Sequence, residues 1–214
     1  MKMNEDKCKY MVFSRSKSKF ATRLKINNVS LERVSEIKLL GVWVRDDLSW
    51  SRNCKEICVK AFSRLSMITK LKYVGTSIED LIDIYILYIR SIAEYCSVAY
   101  HSSLTQDQSN KIERIQKTCL RVILGEMYVS YEAALEMCGL QSLSLRREKR
   151  CLNFSVKCVK NPKLQRRLFP LNTRTFGQEQ TTRETFEVNW ARTDTYKDSA
   201  IPYCQRLLNR HLNT

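Results

Sequence analysis

The chain has 214 residues, of which 43% are hydrophobic and 28% are charged, a composition that indicates a folded protein and excludes global disorder. No apolar run reaches the ~18 residues of a membrane span, and the N-terminal segment lacks the apolar core of a secretory signal, so no membrane partner is expected. The nine cysteines are accordingly expected to be reduced thiols of an intracellular protein, in the nucleus or the cytoplasm.

The basic residues are unevenly distributed. The 37 basic and 22 acidic residues leave a formal net charge of +15. Residues 1–25 carry eight basic and two acidic side chains, and residues 145–167 carry nine basic and one acidic side chain. Clusters of this kind are typical of surfaces that bind a polyanion, so they favour a nucleic-acid partner over a merely solvated basic surface.

Residues 7–44 predict a small antiparallel sheet. The tripeptide Leu24-Lys25-Ile26 alternates apolar and basic side chains, and Asn27-Asn28 after it is a tight-turn signal. Residues 37–44 predict a further strand, in which Gly41 indicates a bulge or the close approach of another backbone.

Asp46 and Asp47 follow that strand as adjacent carboxylates. Two-metal chemistry would need a further carboxylate from a neighbouring strand, and none of the upstream acids is placed to supply it. With Arg45 before it, the pair predicts a turn.

Cys54 and Cys58, one helical turn apart, predict buried thiols and no zinc site, because no matching ligand pair follows them. No metal-binding residue is predicted.

From Ser51 onward the apolar spacing becomes helical. It predicts five helices, a polar arm over residues 170–198 and a last short helix within 199–212. The second of these helices has a wide apolar stripe from Ile78 to Cys96 and is expected to be the most buried. The expected N-caps are Ser77, Thr105 (in a capping box with Gln108), Ser130 and Ser144, and the expected helix ends are Gly75, Gly125, Gly139 and Pro162. The predicted fold class is therefore α+β: a small antiparallel sheet, a mostly α-helical bundle and an extended C-terminal arm. The corresponding domains are residues 1–50, 51–161 and 162–214.

Two of the predicted helices carry a basic face opposite an apolar one, which on the fifth helix comprises Leu145, Leu152, Val156 and Val159. Any amphipathic helix needs a polar face, but two nearly acid-free faces favour contact with a phosphate backbone, which carries no base-sequence information. The candidate nucleic-acid-binding residues are Lys111, Arg114, Lys117 and Arg121 on the third helix, and Arg146, Arg150, Lys157 and Lys160 on the fifth. The sequence offers no nucleophile–base pair and no phosphate-binding glycine loop.

Seven segments match motifs that occur together, in this order, in one protein family. They are residues 4–14 (NEDKCKYMVFS), residues 38–50 (KLLGVWVRDDLSW), Lys60-Ala61, Arg90 with Glu94-Tyr95, residues 111–125 (KIERIQKTCLRVILG), residues 131–147 (YEAALEMCGLQSLSLRR) and residues 196–202 (YKDSAIP). With them the chain resembles, over residues 4–213, the C-terminal part of reverse transcriptases from non-LTR (LINE, jockey-like) retrotransposons. Leu39 and Tyr100 depart from the tyrosine and tryptophan that the family has at these positions.

The resemblance implies a fragment of an RNA-directed DNA polymerase: the end of the palm, a helical thumb and a C-terminal arm. The implied primer grip is a hairpin around Gly41, and its residues are Leu39, Leu40, Gly41 and Val42. Lys7 takes the position of the palm lysine that would protonate the leaving pyrophosphate. The family's catalytic aspartates would lie before Met1, so the chain is expected to contribute primer and template binding, and on its own it is expected not to polymerise. It is expected to bind no cofactor itself, whereas Mg²⁺ serves the parent polymerase.

The partners implied are an RNA–DNA or DNA duplex, contacted through its phosphates, and the N-terminal part of the polymerase. One alternative is a non-catalytic nucleic-acid-binding protein domesticated from such an element. A second alternative is a decayed copy whose basic faces are only solvated. A helical DNA-binding regulator is disfavoured, because the sequence shows no helix-turn-helix glycine signature.

Overall fold

The computed structural model describes residues 8–13, 24–172 and 185–213, and it divides into two units, Met1–Glu56 and Ile57–Thr214. Short strand pairs lie in the first unit, and helices make up most of the second. The α+β fold class that the sequence predicts is therefore confirmed. The finer division into three domains stays a prediction.

Short strands pair two by two in the described part of the first unit. They are β1 (Lys9–Tyr10), β2 (Lys25–Ile26), β3 (Val29–Ser30), β4 (Glu32–Arg33), β5 (Glu36–Leu39) and β6 (Val42–Arg45). β1 pairs with β4 in parallel, whereas β2–β3 and β5–β6 are antiparallel hairpins. Asn27 and Asn28, between β2 and β3, have φ of 46° and 66°, and this backbone confirms the predicted tight turn.

The strand predicted over residues 37–44 is instead the β5–β6 hairpin. Leu40 and Gly41 connect its strands with φ of 46° and 88°, as in a two-residue type I′ turn. The prediction of a single strand with a bulge at Gly41 is therefore wrong, whereas the hairpin around Gly41 that the resemblance implies is confirmed. A two-residue loop interrupts an apolar run so briefly that two strands look like one in the sequence.

The second unit consists mainly of helices, and α1 begins before the boundary at Glu56. The helices are α1 (Ser51–Tyr73), α2 (Ile78–Ile84), a π-helix (Tyr85–Arg90), α3 (Ser91–Glu94), α4 (Ser97–Tyr100), α5 (Gln106–Leu124), α6 (Tyr131–Met137), α7 (Leu143–Val159), α8 (Pro162–Leu168), α9 (Asp194–Lys197) and α10 (Ala200–Leu212), with 3₁₀ turns at His101–Ser103 and Gly125–Met127. Within the described ranges, no helix combines the length and the apolarity needed to cross a membrane.

Local capping signals set several helix ends as predicted. Ser77 and Ser130 cap α2 and α6 through their side-chain oxygens, and Thr105 with Gln108 forms the reciprocal capping box of α5. Gly125, at the end of α5, has φ of 60°. Each of these caps satisfies a backbone group that the helix leaves without an internal partner, so a few neighbouring residues suffice to specify it.

The predicted N-cap of α7 is wrong, whereas the predicted end near Lys160, before Pro162, is confirmed. Its N-cap is Ser142 and not Ser144, because the N–H of Ser144 is already inside the helix and donates to the carboxylate of Glu113 on α5 at 3.0 Å. Pro162 does not merely end the helix. It is the first residue of α8, where its missing N–H costs nothing, and Asn161 caps that helix.

The long second helix predicted from Ile78 to Cys96 is divided. The π-helix interrupts it, and Cys96, placed by the sequence on the buried stripe, is exposed with φ of 54°. Leu81, Tyr85 and Ile89 of the same stripe are buried as expected. The helix breaks where the chain turns to enter α4.

α7 and α10 share a core. Its buried members are Cys151, Cys158, Phe169, Phe186, Cys204, Leu207 and Leu208. Val98, Leu152 and Phe154 are partly buried against it. The predicted terminal helix is therefore confirmed as α10, and it fixes one side of α7 so that the other side remains at the surface.

Candidate functional site

A groove of about 500 Å³ runs along α7. Its lining residues are Val98, Gln141, Arg146, Lys149, Arg150, Asn153, Phe154 and Lys157. Four of these side chains are cationic and none is acidic. The groove therefore gathers positive charge over a partly apolar floor.

The polar lining of the groove results from the helical spacing of residues along α7. Arg146, Lys149, Arg150, Asn153 and Lys157 recur at intervals of three or four residues, so they share one face of the helix. The opposite face is buried, and its members are Leu143, Arg147, Cys151, Ser155 and Cys158. Leu152, Val156 and Val159 of the predicted apolar face pack against the core that α7 shares with α10, whereas Leu145, the fourth member, is exposed. The polar residues Arg147 and Ser155 are among the buried residues of α7. A prediction that assigns only hydrophobic residues to the buried face therefore leaves them out.

Glu94 of α3 holds the two arginines of the groove. Its side chain is only 3% exposed, and Arg146 binds both of its oxygens, the Nη2–Oε2 distance being 3.1 Å. Arg150 Nη2 donates to Oε2 at 2.7 Å, and Arg90 Nε lies 4.0 Å from Oε1. Burial alone would raise the pKa of Glu94, but the bonds and charges of Arg146 and Arg150 outweigh it and hold that pKa below its usual value.

The cluster therefore contains an acid that the sequence analysis does not place there. Arg146 and Arg150 were predicted to face phosphates, and the structure gives both an intramolecular partner as well. Their side chains remain 28% and 49% exposed. Three guanidinium groups around one carboxylate leave an excess of positive charge, so the partnership fixes the arginines without neutralising the groove.

Lys149, which is absent from the predicted site, belongs to the groove. Its Nζ donates to the side-chain oxygen of Gln141 at 2.9 Å. The spacing of three residues from Arg146 could have identified Lys149, whereas no local signal places Gln141 beside it. Of the two predicted lysines of α7, Lys157 lines the groove, and the exposed Lys160 is the residue at the C-cap, outside the lining.

The cations of α5 form no part of the groove lining, and most of them contact acidic or aromatic side chains of the protein. The contacts are Lys111 with Asp107 at 2.6 Å, Lys117 over the ring of Tyr131 at 4.8 Å and Arg121 over the ring of Tyr128 at 5.2 Å. Arg114 is exposed on the same helix. The structure thus separates the two predicted basic faces: one lines a groove, and the other lies on a helix surface covered in part by aromatic rings.

Glu113 fixes the start of α7 and with it the groove. Its two oxygens accept the N–H groups of Leu143 at 2.9 Å and Ser144 at 3.0 Å, and Tyr131 also donates its hydroxyl to this carboxylate. A carboxylate at a helix N-terminus is favourable because the exposed N–H groups carry partial positive charge. This contact joins α5, α6 and α7.

Gln116 extends the same buried network. Its side-chain oxygen accepts the hydroxyl of Tyr85 at 2.6 Å. Its amide nitrogen donates to Tyr131 Oη at 2.8 Å and to the carbonyl of Gln141 at 3.0 Å. Burial chiefly raises the pKa of both tyrosines far above the usual value, so they stay neutral donors. The network holds the backbone of Gln141 at the edge of the groove.

In the first unit, the hairpin turn exposes two leucines. Leu39 and Leu40 are 60% and 84% exposed, whereas Val42 is buried. At its base the guanidinium of Arg52 lies 4.7 Å from the centre of the Trp43 ring. The predicted primer-grip residues thus occupy the tip of a short hairpin. Lys7 lies outside the described residues.

Asp46 and Asp47 form a turn, as predicted. The N–H of Leu48 donates to the carbonyl of Arg45 at 3.0 Å, and the N–H of Ser49 donates to Asp47 Oδ1 at 2.9 Å. That hydrogen bond, more than any other influence, lowers the pKa of Asp47. Because Asp47 also lies 3.4 Å from Arg45, this pair does not fit a magnesium site. Across the described residues, no group of three or more histidine, cysteine or acidic side chains could hold a metal ion.

No protein-family model, curated protein or solved structure matches the chain. The resemblance to non-LTR reverse transcriptases therefore stays a prediction from the sequence motifs.

Proposed function

We propose that the chain is the thumb-like C-terminal part of a non-LTR-type reverse transcriptase, and that it binds the primer–template duplex through phosphate contacts at the α7 groove. The observation that carries this proposal is the groove lining, with four cations and no acid. Lys and Arg side chains that contact phosphates displace condensed counterions, and this displacement supplies most of the affinity in sequence-independent binding.

The ion cluster around Glu94 supports this role. A guanidinium has five N–H donors, and the bonds of Arg146 and Arg150 to Glu94 use only some of them. The remaining donors of partly exposed arginines are available to phosphate oxygens. Lys149 and Lys157 add two further positive charges to the groove.

The hairpin gives weaker support. The resemblance implies that it grips the primer end, and the exposure of Leu39 and Leu40 fits contact with the apolar face of a sugar or base. In this proposal the chain supplies binding, and the metal-dependent chemistry belongs to the rest of the polymerase. Incorporation of dNTPs by the purified chain with primer–template and Mg²⁺ would contradict that division.

The decisive experiment reverses the two groove lysines, Lys149→Glu and Lys157→Glu. We leave the arginines intact, because their loss would also expose Glu94. Affinity for an RNA–DNA duplex, measured by fluorescence anisotropy across salt concentrations, should fall about a hundredfold, and the slope of log K against log salt should drop by about two.

The matched control reverses two exposed lysines of α1, Lys55→Glu and Lys70→Glu, which change the net charge equally. It should weaken binding less than about fivefold, because only long-range attraction is lost. Equal losses in the two double variants, or no loss in either, would refute a binding groove.

A stand-alone binding protein derived from such an element is the second candidate. The observation in its favour is that the whole groove lining, from Val98 to Lys157, comes from one unit. A stand-alone protein should bind with submicromolar Kd at physiological salt, whereas a polymerase part should bind more weakly once separated from its other contacts. The isolated chain's Kd at physiological salt distinguishes the two.

A further inference from the structure

We propose that the α7 groove also holds one unpaired nucleotide, with the base inserted between Phe154 and the side-chain amides of Gln141 and Asn153. This inference rests on the proposed nucleic-acid function and names a second ligand for the same groove, a single-stranded segment. The phosphates on either side of the base then lie on the rim lysines, Lys149 and Lys157.

The composition of the groove points beyond a phosphate track. Tracking a backbone requires cations alone, since phosphate contacts position a nucleic acid without reading it. Here Val98 and Phe154 form an apolar floor, and both are packed against the core shared by α7 and α10. An aromatic side chain at the floor of a cationic groove offers a surface on which an unpaired base can stack.

The size agrees with this reading. A volume of about 500 Å³ lies within the range of small-ligand pockets, roughly 300–1,000 Å³. A duplex, whose bases are stacked inside, can only lie across such a groove. An unstacked base can enter it.

The polar groups suit a base edge. Gln141 is held by Lys149 through its side-chain oxygen, so its NH₂ group is the end that can donate to a ligand. Asn153 is exposed and offers both a donor and an acceptor. Side-chain amides and an aromatic face together are the usual means of binding unpaired bases.

The groove is also held in shape before binding. Arg146 and Arg150 are tied to the buried Glu94, and the backbone of Gln141 is tied to Gln116. A rigid site loses little conformational freedom when the ligand enters. The ion cluster therefore serves the base site by fixing its walls as well as by adding charge.

The test uses the full chain and two probes: a blunt RNA–DNA duplex and a single RNA strand of about eight nucleotides containing the fluorescent base 2-aminopurine. The first variant, Gln141→Ala with Asn153→Ala, leaves every charge in place. It should weaken single-strand binding about tenfold and change duplex binding less than twofold.

The second variant, Phe154→Leu, retains apolar volume over the core but removes the aromatic face. It should abolish the fluorescence quenching that stacking of 2-aminopurine produces. Circular dichroism and Tm confirm that both variants fold.

Each outcome is decisive. Loss of single-strand affinity in the amide variant together with loss of quenching in Phe154→Leu supports the base site. Unchanged single-strand affinity and unchanged quenching in both variants overturn it, while a duplex affinity that still depends on Lys149 and Lys157 leaves the proposed function standing. Displacement of the strand by polyglutamate, with no quenching in the wild-type chain, also overturns it, because the groove would then select only for negative charge. Failure of both probes to bind overturns this inference and the proposed function together.

Discussion

α5 and α7 look alike in the sequence and differ in the structure. Both carry a row of cations opposite a buried face, yet only the cations of α7 line a groove. On α5 the charges of Lys111, Lys117 and Arg121 contact Asp107 or aromatic rings. A basic helix face is thus not a binding site in itself. What distinguishes α7 is the set of neighbours that its cations share, above all Glu94.

The two helices should differ most at Arg146 of α7, where reversing the charge is expected to cause the largest loss of stability. Arg146→Glu would place two carboxylates together at a site where Glu94 is 3% exposed. Losing one partner of a buried ion pair costs about 3–5 kcal/mol, so we expect Tm to fall by about 10 °C. Thermal unfolding followed by circular dichroism measures it.

Its control is the double variant Glu94→Gln with Arg146→Gln, which removes both charges and retains hydrogen-bonding groups. We expect it to recover at least half of the lost stability, because no buried carboxylate remains without its main partner. An Arg146→Glu protein as stable as the wild type would show that Glu94 does not depend on this arginine.

Tyr131 tests the connection between the two helices. Tyr131→Phe keeps the ring under Lys117 but removes the hydroxyl that joins Glu113 and Gln116, and it should lower the free energy of unfolding by about 1–2 kcal/mol. Tyr128→Phe, at the ring under Arg121 of α5, is the matched change and should stay within about 0.5 kcal/mol. Urea denaturation compares the two variants, and equal effects would remove the network from the explanation of how α7 is positioned.

His101 gives the protein a pH dependence of its own. Burial first, and then the charge of Arg147, lower the pKa of His101 from 6.5 to about 4. As pH falls, His101 takes up a proton in the unfolded chain before it does so in the folded protein, and this favours unfolding. The free energy of unfolding is therefore highest above about pH 6.5 and decreases as pH falls towards 4. The loss should be about 1–2 kcal/mol, because the ring is only partly shielded from water.

Stability measured between pH 7 and pH 5 isolates this contribution, because Glu94, with its lowered pKa, responds only below about pH 4.5. His101→Gln should flatten the profile in this window. A variant whose stability still falls as steeply as that of the wild type would assign the effect to another group.

The smallest effect is expected for reversal on the α5 face. Lys111→Glu with Arg114→Glu changes the net charge as much as the groove double variant, yet duplex affinity should fall less than about fivefold, because neither residue lines the groove. The same anisotropy titration measures both. A loss of about a hundredfold on α5 would mean that both faces bind, as the sequence alone predicts.

Structural features that depend only on residues close together in the sequence could be predicted. The caps at Ser77, Thr105 and Ser130 and the turns at Asn27-Asn28 and Asp46-Asp47 each depend on contacts within a few positions. The cap at Asn161, before Pro162, was equally local, and it could have been predicted from the preference of proline for the first helical turn.

The groove itself was only half predictable. The spacing of α7 gives Arg146, Arg150 and Lys157, but the acid that holds the arginines lies 52 positions before Arg146. Pairing across such a distance depends on how helices pack, and the periodicity of a single helix does not contain it. The same limit applies to Ser142, which takes the cap because Glu113 reaches the first N–H groups of α7 from another helix.

The π-helix at Tyr85–Arg90 makes the ion cluster around Glu94 depend on the number of residues in this segment as well as on which residues they are. Each of its hydrogen-bonded i→i+5 turns contains one more residue than an α-turn, so the side chains beyond it, Glu94 included, are set back around the axis by about 100° relative to an uninterrupted helix. Deleting the exposed Leu87 would let the segment close into an α-helix with Glu94 still turned towards Arg146. Inserting one further residue beside Leu87 would instead turn Glu94 away by about 100°, although no contacting residue is replaced. An insertion, more than a deletion or a substitution, is therefore the change that this segment tolerates least.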